Sequence, residues 1–167
     1  MALERITYRA NGTTFIGALI YDENAVGQRP LMLVAPNWVG VSDHAIQRAS
    51  DMAGSKYVAF VADMYGAGRI AADPADAAPL ANVLRADVVE RRRRIAAALQ
   101  ALQDESQSRG IGDPSRQTAV GFCLGGGKFL EFARSGADLK APICINGDLL
   151  TPLPAKVGDI KAAICVL

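Results

Sequence analysis

Polar and apolar residues alternate along positions 5–10 and 13–21, and the two runs meet at Asn11-Gly12. Alternation of period two marks strands with one face toward a core, and Asn-Gly between two such runs is the strongest short hairpin signal. The chain is therefore expected to open on an antiparallel hairpin. After a polar connection over 22–29 the pattern changes: 31–35 is a continuous apolar run, as in a strand buried on both faces of a parallel sheet, and 57–62, 117–122, 141–145 and 160–167 read as further, largely apolar strands. Segments of helical period lie between them. Ser42 or Asp43 can cap a helix to about Ala53, with Ile46, Ala49, Met52 and Ala53 inside. An Ala/Asp/Pro-rich link over 73–79 leads to a long helix predicted from about Leu80 to Gln103. Leu84, Val88, Ile95, Leu99 and Leu102 form its buried stripe. Another helix carries Phe129, Leu130, Phe132 and Ala133 and ends near Ser135-Gly136, and Pro152 and Pro154 make the stretch before the last strand irregular. Strand and helix alternate, so the expected class is α/β, a mostly parallel sheet with helices on both faces and an antiparallel start.

The chemistry concentrates in Gly121-Phe122-Cys123-Leu124-Gly125-Gly126-Gly127-Lys128, where an apolar run ends in Gly-x-Cys-x-Gly and a helix follows. That is the layout of a nucleophile elbow with cysteine in place of serine. A strand that turns straight into a helix forces Cys123 into a strained conformation, and a Cβ at Gly121 or Gly125 would collide with the crossing elements. The sulfur then stands clear of the backbone, and the N–H of Leu124 points to where an oxyanion forms. The start of the helix places partial positive charge beside the sulfur, which favours thiolate. Phosphate-cradling alternatives fail on spacing. A P-loop needs glycine at Phe122 and Ser or Thr at Phe129, and the dinucleotide pattern needs glycine at Leu130. Cys144 and Cys165 sit inside apolar runs and read as buried structural cysteines.

Composition narrows the classes. The 167 residues are 50% hydrophobic with a formal net charge of +1, which suits one domain and argues against a nucleic-acid or acidic-membrane partner. Arg91-Arg92-Arg93-Arg94 invites a nucleic-acid reading, but four consecutive helical positions span the whole circumference and make no single basic face. A solvated helix surface is expected, with room for one arginine to face a cleft. The N-terminus lacks a signal-peptide pattern and no apolar run approaches a membrane span. Three widely spaced cysteines and the single His44 give neither a disulfide framework nor a metal site. The expected setting is cytoplasmic.

Four segments, in order, carry a resemblance: Val34-Ala35-Pro36-Asn37-Trp38-Val39-Gly40, then Tyr57-Val58-Ala59-Phe60-Val61-Ala62-Asp63-Met64-Tyr65-Gly66, then the elbow, then 160–167. With them the chain resembles the dienelactone hydrolase family of α/β-hydrolases. The resemblance implies an α/β-hydrolase fold, a Cys-His-Asp triad, no cofactor, and a small ester or lactone as substrate. It assigns Cys123 as nucleophile, the N–H groups of Leu124 and Trp38 as oxyanion donors, and Asn37, Tyr65, Trp38 and Phe122 to the pocket. Typical members carry glutamate where Asn37 stands; an amide hydrogen-bonds but takes no proton, so Asn37 either orients substrate or thiol or satisfies loop backbone groups.

In this fold the triad order is nucleophile, acid, histidine. His44 precedes the elbow, and Asp148 and Asp159 precede the final strand, so none holds the expected place. The sequence thus reads as a single, incomplete α/β-hydrolase domain over 1–167. Its acid and histidine are expected beyond Leu167, and the full-length chain is expected to be a monomer. A final strand as apolar as Ile164-Cys165-Val166-Leu167 wants cover on both faces. The alternative reading is a non-catalytic protein of the same fold, with Cys123 binding ligand or sensing oxidation.

Overall fold

The computed structural model describes residues 1–167. It opens on the expected hairpin, β1 (Ala2–Ala10) paired antiparallel with β2 (Thr13–Tyr21). Asn11 and Gly12 take φ of +46° and +77°, the left-handed pair that a two-residue type I′ turn requires. Five further strands complete one sheet: β3 (Arg29–Ala35), β4 (Val58–Val61), β5 (Gly112–Phe122), β6 (Ile143–Ile145) and β7 (Cys165–Val166). The order is β1-β2-β4-β3-β5-β6-β7. β2 meets β4 antiparallel, and every pair from β4 to β7 is parallel. This is the α/β-hydrolase fold.

The continuous apolar runs are explained by the two faces they cover. Along β3, Leu31, Leu33 and Ala35 enter one core while Met32 and Val34 enter the other. The larger core packs under α3 (Val88–Ser108) and α4 (Leu124–Arg134), with Ile95, Leu102 and Phe129 fully buried. The smaller one packs under α1 (Asp43–Ala53), through Ala45, Ile46, Ala49 and Ala53. Ser42 caps α1 by accepting from the Ala45 N–H at 3.3 Å.

Four expectations need correction. The long helix over 80–103 is two helices, α2 (Pro74–Ala86) and α3, parted at Asp87. The link over 73–79 is the first half of α2, capped by Asp73 with Pro74 in the first turn. The last two strands are shorter than their apolar runs, at three and two residues, and Cys165 is exposed rather than structural. Cys144 is buried as expected, its sulfur beneath Gly126 and Gly147, and burial pushes its thiol pKa up.

The arginine run is also more than a solvated surface. Arg91 is 7% exposed. Arg92 pairs with buried Glu131 at 2.9 Å, and Arg94 reaches the Met64 carbonyl at 2.8 Å. Only Arg93 is exposed, paired with Glu90 on its own helix.

β3, β5 and β6 end level, with Ala35 beside Gly121 and Phe122 beside Ile145. Their following loops therefore gather at one edge of the sheet, the edge where open α/β sheets bind ligands. The loop after β4 joins them through Asp63. This 1% exposed carboxylate accepts the N–H groups of Ile16, Tyr65, Gly66 and Gly68 at 2.8–3.0 Å.

Candidate active site

Cys123 is the single residue between β5 and α4. Its φ of +52° and ψ of −115° lie in a region L-residues occupy only when their surroundings enforce it. The surroundings do so from both sides. The Cys123 N–H donates to the Ile145 carbonyl at 2.8 Å, and its carbonyl accepts from Gly126 at 3.0 Å. A Cβ on Gly121 would run into the Gly125 backbone, and one on Gly125 would strike the Ala35 and Pro36 carbonyls. Strand, turn and helix thus pack backbone to backbone, and the thiol is left exposed. Leu124 is the first residue of α4, so its N–H has no acceptor within the helix.

A cavity of about 290 Å³ opens beside the thiol, walled by Arg85, Arg91, Leu124, Gly127, Asn146, Gly147 and Asp148. A second hollow of about 260 Å³ shares Arg85, Arg91 and Asp148 and extends to Leu150, Thr151 and Pro152. Arg91 is unusual for a buried cation. It forms no salt bridge, and its Nε has no hydrogen-bond partner. Burial lowers its pKa below the ordinary guanidinium value, against the pull of Glu131 and Asp148.

Arg85 of α2 stands beside Arg91 at this wall. Arg69 is turned away to Asp76 at 2.6 Å. Arg91 was legible in one respect, because it falls on the buried stripe between Val88 and Ile95 at helical spacing.

The loop after β3 approaches from the other side. Asn37 Oδ1 accepts the Val39 N–H at 3.0 Å, so its side chain closes a turn in its own loop. It does not line the cavity at Cys123, as the pocket assignment required. With Phe122 and His44 it lines a separate cavity of about 130 Å³. His44 is exposed on the first turn of α1. Tyr65 lies outside the walls of both cavities. Its hydroxyl donates to the Trp38 carbonyl at 2.7 Å. Burial pushes its pKa up to about 12, with Arg85 opposing and a Cys123 thiolate adding to the rise. No three His, Cys, Asp or Glu side chains converge to hold a metal ion, and no helix is long and apolar enough to cross a membrane.

The family model described as the dienelactone hydrolase family matches residues 16–167. The chain belongs to that family. Membership supports a hydrolase. Among solved structures, m3DLH is 36% identical with a TM-score of 0.89, over 99% of this chain and 67% of its own. A dienelactone hydrolase-like promiscuous phosphotriesterase from metagenomic libraries is 34% identical, with a TM-score of 0.87 and the same coverage. A structure from Klebsiella pneumoniae, at 20% identity and a TM-score of 0.76 over 99% of this chain and 71% of its own, shares the fold. No curated protein matches the chain. This dienelactone hydrolase family member thus spans about two thirds of the length of the two more similar structures.

Proposed function

We propose that this chain carries the nucleophile half of a cysteine hydrolase for small esters or lactones. The observation that carries the reading is the backbone of Cys123, held at positive φ at the head of α4 with its thiol open to a cavity. Such strain persists where it serves a reacting group. The Cys123 sulfur attacks the ester carbonyl carbon, and the negative oxygen accepts from the N–H groups of Leu124 and Trp38. The carbon–oxygen bond then breaks, the alcohol leaves with a proton, and a thioester remains. Water hydrolyses it with help from a histidine oriented by an aspartate. In this proposal both are encoded beyond Leu167, in the third of the family length that the two solved relatives have in addition.

The cavity also favours a substrate bearing a negative group. Arg91 is buried, makes no salt bridge and lies on the cavity wall, where a carboxylate on the substrate would pair with its guanidinium. Arg85 adds a second positive charge at the same wall.

The test uses the full-length protein. With short-chain ester or lactone substrates, Cys123→Ala is expected to abolish turnover, and electrophile labelling is expected to map to Cys123. Turnover that survives Cys123→Ala refutes the nucleophile. Arg91→Met is expected to raise KM for carboxylate-bearing esters about tenfold, the loss of one charge-assisted hydrogen bond. Neutral esters should be cleaved as before.

A further inference from the structure

Lys128 follows the elbow glycines on α4 and is 1% exposed, a rare state for lysine. No carboxylate pairs with it. Its Nζ stands instead 5.7 Å from the centroid of the Tyr65 ring, within cation–π range. The Tyr65 hydroxyl in turn donates to the Trp38 carbonyl at 2.7 Å. Among the hydrogen bonds that shape the loop over 36–42, this is the one made by a side chain from outside it. The others are the Asn37 turn, the Ser42 cap and backbone bonds that include Ala71 N–H to the Val39 carbonyl.

We propose that Lys128 is a positioning residue for the oxyanion loop: its ammonium holds the Tyr65 ring, the Tyr65 hydroxyl holds the Trp38 carbonyl, and the Trp38 N–H is thereby set relative to Cys123. The proposal rests on the reading of Cys123 and Trp38 given above. A cation against the ring face also makes the phenol a better donor, so ammonium and loop tether strengthen together. Burial brings the Lys128 pKa down to about 7, with Arg91, Arg94 and Arg85 acting the same way and Asp63 opposing. These charges come from α3, from α2 and from the loop after β4. Glu90 partly offsets Arg94 through an ion pair at 2.9 Å, and Tyr8 donates to the Asp63 carbonyl from β1. The tether therefore weakens as pH rises through neutrality.

Two reactions of the same thiol separate this role from a merely structural one. Acylation of Cys123 by p-nitrophenyl acetate forms the sulfur–carbonyl bond and expels p-nitrophenolate, through an oxyanion. Alkylation by iodoacetamide forms a sulfur–methylene bond and expels iodide, with no oxyanion. Both need thiolate, so their rate ratio cancels its titration and reports the oxyanion loop.

In the full-length protein, Lys128→Met and Tyr65→Phe are each expected to lower the ratio about tenfold at pH 6, short of losing a donor outright. The double variant should be no worse than either single one. The wild-type ratio should fall between pH 6 and 8, and that of Tyr65→Phe should stay flat. An unchanged ratio in Lys128→Met, equal losses in both reactions, or a flat wild-type ratio overturns the proposal. Should Lys128→Met fail to fold, Tyr65→Phe and the wild-type pH profile still decide it. A wild-type Cys123 that p-nitrophenyl acetate does not acylate overturns the nucleophile reading itself, which is a distinct failure.

Discussion

A methyl group on Gly125 would drive into the carbonyls of Ala35 and Pro36, and Ala35 is fixed in the β3–β5 ladder opposite Gly121. Gly125→Ala is therefore expected to cost about 3 kcal/mol, the upper range for overpacking, read as a lower urea midpoint. Lys128 makes the opposite point at the same scale. A buried amine whose pKa falls from 10.5 to about 7 binds fewer protons folded than unfolded between those values, so stability rises with pH across that window. Below it the cost of burying the charge is constant. Lys128→Met removes this cost, and it should melt higher than wild type at pH 6 by a margin that shrinks between pH 7 and 10.5. A variant no more stable than wild type at pH 6 refutes the buried, uncompensated ammonium. The residue proposed to tune the oxyanion loop is thus one the fold would be more stable without, a trade found where side chains serve function.

At the scale of elements, the junction of α2 and α3 shows what periodicity can and cannot see. Leu84 and Val88 stand at helical spacing and are both buried, so the apolar stripe runs through the break without a fault. The break is written in polar residues instead. Asp87 has φ of −118° and ψ of 94°, and its carboxylate accepts the Glu90 N–H at 2.8 Å, as a helix cap does. Asp87→Ala should cost about 1 kcal/mol, seen as a lower thermal midpoint with the α2–α3 angle less well fixed. Asp73-Pro74 carried the matching start signal for α2. The core strands were legible because Leu31 to Ala35 feed two cores by simple alternation. The hairpin was legible because Asn11-Gly12 has few other uses. The strained elbow was legible because Gly121 and Gly125 have no other reason to flank a cysteine. The pocket walls were less so. Asn37 and Tyr65 lie near Cys123 in the fold's plan, but their side chains are used within and against the loop. The cavity is walled by Arg91 and Asp148, which only the packing of α3 and the chain after β6 could bring together.

Over the whole molecule, the stretch from Asn146 to the last strand has no regular elements, and side chains join a few backbone hydrogen bonds in holding it to the fold. Glu131 anchors that arrangement from α4. It is 1% exposed and binds Arg92 at 2.9 Å and Arg134 at 2.7 Å. Those two arginines also donate to the carbonyls of Leu153 and Leu149, so one carboxylate orients both clamps on the stretch. Burial alone would raise the Glu131 pKa, but hydrogen bonds from Thr151, Arg92 and Arg134 outweigh it and leave it below the ordinary 4.5. A lowered carboxylate binds fewer protons folded than unfolded. Its contribution is complete above that ordinary value and is lost as pH falls through the lowered one. Glu131→Gln keeps the shape and removes the charge, leaving two arginines without their shared anion. The expected cost at pH 7 is about 3 kcal/mol, the low end for breaking a buried ion pair. The gap between wild type and variant should narrow as pH falls below 4.5, because the unfolded wild-type chain then takes up a proton that the folded one resists. Urea unfolding at pH 7 and at pH 3 measures both ends of this comparison. Because Asp148 and Asn146 wall the cavity at Cys123 from the same stretch, the variant should also alkylate with altered kinetics at pH 7. A gap that persists undiminished at pH 3 would refute the charge of Glu131 as the source of its contribution.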